Sequence, residues 1–522
     1  MSRPNIVWVV VDHMAFHGHY RANALDYHWP RLESIARDGA WFERAYTTVP
    51  VCTPARASLM SGQRAGRHGL RWNPEYDIPQ NRREFLPDQW LFNHGLATAG
   101  YDTRFVGKWH CGQNRLPSDY GMAGWSLPDY GNVYASAEYK RYLDRIGLEQ
   151  PRCTLDHNLF NPELDGTEVV LDPAEPWTYM DGCGVLQGDP RAQEQFFVVN
   201  RAIDELDTLD TASPWCLVVS LWGPHHPYLP SADFAALVDP SRIAPYPSFA
   251  EDLDGKPMRF GVHRDLRCDF RAHERWPDWS IWQTLLARAY AQGLQTDAAI
   301  GLLDDALARR GWVDDTLFIV TSDHGDAIAS HGAGWDKYST YTEEVGRVPL
   351  VVRWPDRVAP AQRRDELVSG LDIPATVLDA AGVDVGALEL DGSSVVPLLS
   401  ESDAPWREHL VVEHYGHSGD VSYQRIVYRG QFKYVAVWGD DDELYDLAAD
   451  PYELHNRVDD PLLHDTLTDL QCRVLEHMAE ERAARRAVHP ESEMEHKLVD
   501  STARWPREER LLMYKLERAL AA

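Results

Sequence analysis

Four runs of strand length, each followed by a polar cluster, constrain the fold of this chain more than any other feature. The runs are Asn5–Val11, Tyr101–Val106, Trp215–Leu221 and Thr316–Thr321. The first, third and fourth are almost continuously apolar, which is typical of strands buried on both faces of a parallel sheet. Helix-like segments separate the runs, among them the long stretch Trp282–Arg310. This alternation predicts a doubly wound α/β sheet.

The residues that follow the four runs carry charges or imidazoles. They are, in order, Asp12-His13, Lys108 and His110, His225-His226, and Asp323-His324. Ligands bind at the carboxyl ends of strands in open α/β sheets, so we expect these side chains to meet. Each cluster alone is also compatible with a helix cap or a solvated side chain. Together, the two Asp-His pairs have the composition of a divalent metal site, and the nearby cations suit a small tetrahedral anion.

The pentapeptide Cys52-Thr-Pro-Ala-Arg56 is the second unusual feature. Pro54 fixes its own φ and favours an extended Thr53, so we expect helix only after Arg56, from Ala57 to Met60. Arg56 supplies a permanent cation that can depress the pKa of a thiol or bind an oxyanion. By itself, the pentapeptide is equally compatible with a buried, inert cysteine.

Composition limits the partners of the chain. Its 522 residues include 51 Lys and Arg against 81 Asp and Glu, a formal net charge of -30. This charge repels nucleic acid and anionic membranes, so an anionic substrate needs locally placed cations. No apolar run is long enough to span a bilayer, and no signal peptide precedes the first strand, so we expect a cytoplasmic protein. Seven Cys without a CxxC pair argue against disulfides or a zinc knuckle.

The pattern of predicted secondary structure changes after residue 400. Short runs at hairpin spacing predict a small antiparallel sheet, followed by a helix: Leu410–Glu413, Gln424–Tyr428, Phe432–Val437, Glu443–Asp446 and Pro461–Arg486. We therefore predict two domains, residues 1–400 and 401–522. The charged tail Glu491–Ala522 has little of its own to pack against, so we expect an arm that docks on a second subunit in a homodimer or homotetramer.

The combined motifs resemble the sulfatase family of the alkaline phosphatase superfamily, near its arylsulfatase and phosphonate monoester hydrolase branch. The matching motifs are Cys52-Thr-Pro-Ala-Arg56 with Ser61-Gly62, Gly107-Lys-Trp-His110, Pro224-His225 and Ser322-Asp-His-Gly325. The resemblance extends from the first strand to Leu444–Glu453. It implies a large mixed, mostly parallel sheet sandwiched by helices, plus a smaller C-terminal α+β subdomain with an antiparallel sheet.

The resemblance also implies that a formylglycine-generating enzyme oxidises Cys52 to formylglycine, whose hydrate carries two hydroxyls. One hydroxyl attacks sulfur, and the resulting sulfated hemiacetal expels sulfate by breaking its C–O bond, which a seryl sulfate does poorly. By the same resemblance, the metal ligands are Asp12, His13, Cys52, Asp323 and His324. Arg56 contacts the hydrate, and His110 is the base for its second hydroxyl. Lys108 and Lys337 bind the sulfuryl oxygens, His225 is the donor to the leaving oxygen, and Asn73 lines the pocket.

One position departs from the family pattern. Many relatives carry Asp, Asn or Gln where this chain has His13. An imidazole ligand suits Mn²⁺ or Zn²⁺ better than Ca²⁺. Either His13 binds a softer metal, or its side chain turns away and water takes that position. The metal is therefore one divalent ion, with Mn²⁺, Ca²⁺ and Zn²⁺ as the candidates.

Three functions agree with these motifs. The first is a sulfuric ester hydrolase acting on a small anionic sulfate ester, and retained Lys108 and His110 favour it. The second is a phosphonate monoester or phosphodiester hydrolase on the same scaffold, with cross-activity expected because both substrates are tetrahedral oxyanions. The third is a non-catalytic relative with unmodified Cys52. The leaving group is expected to contact loops such as Pro117–Gln187 and Pro230–Trp279, which carry no recognisable pattern.

Overall fold

A computed structural model describes residues 3–16, 28–78, 81–171, 180–261, 278–337, 339–355, 357–401, 403–488 and 507–521. Within these ranges the strands are β1 (Asn5–Val11), β2 (Ala40–Phe42), β3 (Ala45–Tyr46), β4 (Asp102–Lys108), β5 (Ala123–Leu127), β6 (Arg152–Asn158), β7 (Glu168–Val170), β8 (Gly182–Gln187), β9 (Trp215–Ser220), β10 (Thr316–Ser322), β11 (Leu350–Arg353), β12 (Gln362–Arg364), β13 (Val368–Ser369), β14 (His409–His414), β15 (Gln424–Arg429), β16 (Phe432–Val437) and β17 (Glu443–Asp446).

The α-helices in the same ranges are α1 (Pro30–Arg37), α2 (Cys52–Ser61), α3 (Ala65–His68), α4 (Phe92–Thr98), α5 (Ala137–Ile146), α6 (Glu194–Leu206), α7 (Ala232–Ala235), α8 (Trp279–Arg310), α9 (Glu343–Gly346), α10 (Asp372–Ala380), α11 (Val396–Ser400), α12 (His464–Val488) and α13 (Arg507–Ala521). Among these described helices, none combines the length and the hydropathy needed to cross a bilayer.

The largest sheet among the described residues has the order β12-β2-β11-β10-β1-β9-β4-β5. Strand β1 lies at its centre and pairs in parallel with both β10 and β9. Strand β4 continues the parallel part between β9 and β5, whereas β11 is antiparallel to both of its neighbours. The predicted mixed, mostly parallel sheet is therefore confirmed.

Helices cover both faces of this sheet, and β1 shows why its sequence is apolar throughout. Its side chains alternate between the two cores, with Val7, Val9 and Val11 in one and Ile6, Trp8 and Val10 in the other. Helices α6 and α8 pack on the first core, and α4 and α10 pack on the second. Since both faces are buried, polar alternation would place unsatisfied groups in a core.

The segment predicted as a loop-rich insertion, Pro117–Gln187, has more regular structure than its sequence indicates. It contributes β5 to the edge of the main sheet and forms a separate sheet of order β7-β6-β8. Strands β5 and β7 are short and are exposed or half-buried along their length, whereas β8 is mostly buried. Their stability therefore depends on neighbouring segments rather than on a strong local apolar pattern.

The C-terminal sheet is antiparallel, with the order β14-β15-β16-β17, as predicted. Helices α12 and α13 pack on it through an apolar cluster: Val427, Tyr434, Leu470, Val474, Met478, Leu512 and Leu516. The expectation that the tail lacks a packing surface in its own chain is therefore wrong for residues 507–521. Residues 489–506 lie outside the described ranges, and the subunit-docking arm and the oligomer stay predictions.

Candidate active site

The carboxyl ends of four neighbouring strands lie at one edge of the main sheet. In the register, Val11 of β1 is opposite Ser322 of β10, and Gly107 of β4 is opposite Ser220 of β9. Residues that follow these positions therefore emerge together, although they are up to about 310 positions apart in the chain. The strand ends bring the predicted polar clusters to one site, as open α/β sheets do generally.

Four of the predicted metal ligands form one buried group. The ligand atoms of Asp12, Cys52, Asp323 and His324 all lie within 4.8 Å of one another. The Cys52 sulfur is 3.2 Å from Nε2 of His324 and 3.8 Å from Oδ1 of Asp12. Two carboxylates and an imidazole are ligands that suit a hard or borderline divalent cation, so this donor set fits the metal implied by the resemblance.

Two buried cations stabilise the carboxylates of this group. Arg56 donates from Nε to Asp323 at 2.8 Å and from its terminal nitrogen to Oγ of Ser220 at 2.6 Å. The Lys108 ammonium pairs directly with Asp12. Burial alone raises the pKa of Asp12, but Lys108 and Arg56 outweigh it and hold that pKa well below its usual range. The Asp12 carboxylate is therefore charged, and both metal-site carboxylates are held in place by a buried cation.

Helix α2 begins at Cys52 itself, so the expectation of helix only after Arg56 is wrong. Pro54 occupies the third helical position, where its missing N–H would have no intrahelical acceptor in any case. The side-chain oxygen of Asn73 accepts the Thr53 N–H at 3.0 Å, which satisfies another free donor of the first turn. Cys52 therefore lies on a rigid helix start, and Asn73 supports that helix from the next loop.

The predicted base, His110, is buried and lies beside Cys52. Its backbone has φ 48°, and Nε2 lies 3.8 Å from the Glu75 carboxylate. Burial lowers the pKa of His110 most strongly and Lys108 adds to this, but interactions with Cys52 and Glu75 outweigh both and raise it overall. Glu75 also accepts a hydrogen bond from Asn73 at 3.0 Å. The sequence analysis missed Glu75, which carries no motif.

Lys337 and His225 meet on another side of the site. The Lys337 ammonium lies 3.4 Å from Nε2 of His225 and donates to Asp336 at 2.7 Å. Nδ1 of His225 is 2.7 Å from the carbonyl oxygen of His226. Burial, the neighbouring His226 and Lys337 together hold the pKa of His225 well below its usual value. Asp336 was missed because a carboxylate beside a lysine is common on protein surfaces.

His13 does not join the other predicted metal ligands. Its backbone turns into the left-handed region, with φ 66°, directly after β1. The imidazole lies instead with His225, His226 and Asp336, and Nε2 is 3.4 Å from a carboxylate oxygen of Asp336. Burial and the Lys337 cation hold the pKa of His13 well below its usual value. In this conformation the His13 imidazole lies outside the group formed by Asp12, Cys52, Asp323 and His324, and its part in metal binding stays a prediction.

Comparison with known families identifies the class to which this fold and this site belong. The family model described as Sulfatase matches residues 4–383, and a second model, described as N-sulphoglucosamine sulphohydrolase, C-terminal, matches residues 330–481. The chain belongs to the sulfatase family. The family prediction made from the motifs is therefore confirmed.

Individual relatives agree with this assignment. The chain is 29% identical over 478 residues to a choline-sulfatase of Rhizobium meliloti, covering 88% of this chain and 83% of that protein. It is 26% identical to an arylsulfatase of Clostridium perfringens, covering 87% and 90% respectively. Among solved structures, the phosphonate monoester hydrolase of Silicibacter pomeroyi shares the fold, with a TM-score of 0.73 at 20% identity, covering 92% of this chain and 96% of that chain.

Proposed function

We propose that this protein hydrolyses sulfate monoesters and that Cys52, converted to formylglycine by a modifying enzyme, supplies the nucleophile. The observation that carries the proposal is the position of Cys52. Its sulfur lies at a helix start, within 4.8 Å of the ligand atoms of Asp12, Asp323 and His324. A cysteine with only a packing role needs no such neighbours.

A divalent metal would be held by Asp12, Asp323, His324 and residue 52. When bound, it would neutralise the buried carboxylates and lower the pKa of a hydroxyl on residue 52. Formylglycine would supply two hydroxyls as its hydrate, one for attack and one for sulfate release. The candidate metals are Mn²⁺ and Ca²⁺, with Zn²⁺ as a third. Without His13, the ligand group contains a single imidazole, that of His324, and therefore does not require a soft metal.

The side chains around residue 52 have the remaining catalytic roles. Lys108 and Lys337 approach from two sides and bind the sulfuryl oxygens, whose charge grows during transfer. His225 is the donor to the leaving oxygen; since its pKa is held well below its usual value, it must first take a proton, and the Lys337 ammonium lies 3.4 Å from its Nε2. His110 accepts the proton of the second hydroxyl when sulfate is released. Arg56 contacts Asp323 and the end of β4, so it holds the ligand carboxylate in place in addition to any contact with the hydrate.

The test of the nucleophile combines mass and activity. Co-expression with a formylglycine-generating enzyme should lower the intact mass by about 18 Da, because the thiol becomes an aldehyde. Cys52→Ala should abolish turnover of 4-nitrophenyl sulfate. Cys111→Ala is the matched control, since Cys111 is a buried core residue and should affect mainly stability. If Cys52 stays a thiol and the two variants are equally active, the protein is a non-catalytic relative instead.

The second candidate function is hydrolysis of phosphonate monoesters or phosphodiesters. Two phosphonate monoester hydrolases share this fold, with TM-scores of 0.73 and 0.70. Lys108 and His110 both face the site, and we therefore place sulfate first and expect weaker activity on the other esters. Comparison of kcat/KM for an aryl sulfate and for a phenyl phosphonate monoester decides the order of the two activities. A large preference for the phosphonate would reverse it.

A further inference from the structure

A cavity of about 310 Å³ lies next to His225, on the side where the leaving group of a bound sulfate ester would extend. Its size is at the lower end for small-molecule pockets, so it admits a compact group rather than an oligosaccharide. Its lining comes from six separate segments of the described chain and includes Asp129, Tyr130, Tyr134, Glu194, Trp222 and Leu229. The predicted insertion Pro117–Gln187 thus contributes to this cavity.

Tyr130 forms the boundary between the cavity and the proposed sulfate-binding lysine. The Lys108 ammonium lies 3.9 Å from the centre of the Tyr130 ring, and that ring is 5.7 Å from the ring of His225. Nε1 of Trp222 donates to the Tyr130 carbonyl oxygen at 2.7 Å, which fixes the segment. The cavity is therefore continuous with the reacting side of the site and has aromatic walls.

Two carboxyl groups line this largely apolar cavity, and the imidazole of His110 has a ligand atom within 4.8 Å of the Asp129 carboxylate. Within the described residues, neither Glu194 nor Asp129 has a Lys or Arg at ion-pairing distance. Oδ1 of Asp129 is buried and has no hydrogen-bond partner. Burial raises the pKa of Glu194 to about 8, and the nearby Lys108 only partly opposes it. Carboxyl groups in such surroundings are costly unless a positive charge accompanies them.

We infer that this cavity binds the alcohol part of the substrate and takes a small cationic group, such as a quaternary or protonated ammonium. The aromatic rings favour a cation through their faces, and a bound cation favours the ionised form of the two carboxyl groups, which then complement its charge. An anionic leaving group such as a uronate gains no such complementarity from these carboxyl groups. This inference rests on the proposed function for the position of the sulfate group.

Binding to the catalytically silent Cys52→Ala protein tests the cavity separately from catalysis. The probes are 2-(trimethylammonio)ethyl sulfate and its uncharged carbon isostere, 3,3-dimethylbutyl sulfate, measured by titration calorimetry. We expect the cationic ester to bind at least about tenfold more tightly. Adding Glu194→Gln should reduce this ratio several-fold, and Asp129→Asn provides an independent second variant. The matched control Glu163→Gln, at an exposed position, should leave the ratio unchanged.

Failure of the cationic subsite and failure of the proposed function give different results. Equal or tighter binding of the neutral isostere would overturn the cationic subsite, whatever the catalytic activity. A ratio that neither Glu194→Gln nor Asp129→Asn changes would also overturn it. In contrast, a clear cationic preference in binding, together with no hydrolysis of either ester by the modified wild-type enzyme, would retain the subsite and refute the proposed function.

Discussion

His331 lies in a buried group of charges between the catalytic sheet and the C-terminal sheet. Its Nδ1 is 3.2 Å from the Glu251 carboxylate, and its Nε2 is 3.5 Å from that of Glu344. Glu453 belongs to the same group, and Lys256 also faces it. Burial has the largest single effect and lowers the pKa of His331, but the carboxylates outweigh it and raise the pKa to about 9.

The folded protein therefore binds a proton on His331 more tightly than the unfolded chain does. The stabilisation is fully present below the unfolded pKa of 6.5 and is lost as pH rises through about 9. A shift of this size corresponds to about 3 kcal/mol of stability. His331→Gln removes the titrating group, so it should destabilise the protein by this order at about pH 6 and by little at about pH 9.5.

Urea unfolding at several pH values measures this difference. The free energy of unfolding of the wild type should fall between about pH 6.5 and about pH 9 more steeply than that of His331→Gln. His28→Gln is the matched control, because the side chain of His28 is 50% exposed. A difference between wild type and His331→Gln that stays constant across this pH range would refute the assignment of a raised pKa to His331.

Three further substitutions test the packing of the site and of the C-terminal part. Arg56→Lys should lower kcat at least about a hundredfold, because lysine lacks the fork that joins Asp323 to the strand end. Gly107→Ala should prevent folding or lower the melting temperature strongly, since its Cβ would lie 1.8 Å from the carbonyl oxygen of Ser220. Arg425→Met should destabilise the protein by about 3–5 kcal/mol in urea, because it removes the buried guanidinium that pairs with both Glu481 and Glu509.

Each of these variants has a control of the same chemical type at a tolerant position. Arg83→Lys tests a half-exposed arginine, Gly261→Ala places a Cβ in open space, and Arg141→Met removes a side chain that is 69% exposed. Full activity of Arg56→Lys would contradict the role of the guanidinium fork. A wild-type melting temperature for Gly107→Ala would contradict the close approach of the two strands. Equal stability of Arg425→Met and Arg141→Met would contradict the importance of the buried ion pairs.

The sequence by itself predicted the sheet and most of the site. The apolar run Asn5–Val11 predicts a central strand because both of its faces need burial. The meeting of Asp12 with Asp323 and His324 followed because the carboxyl ends of parallel strands share one edge. These features depend on local pattern and on one rule of topology, so the sequence alone is enough to predict them.

Only the tertiary structure decided how individual side chains are used. Helix α2 begins at Cys52 because Asn73 accepts a hydrogen bond from Thr53, 20 residues earlier, in the first turn of the helix. His13 turns from the predicted ligand group because its backbone adopts a left-handed conformation after β1. The carboxyl groups of Asp129 and Glu194 meet in one cavity although neither carries a motif. Such contacts join segments that are distant in sequence, and local patterns contain no information about their partners.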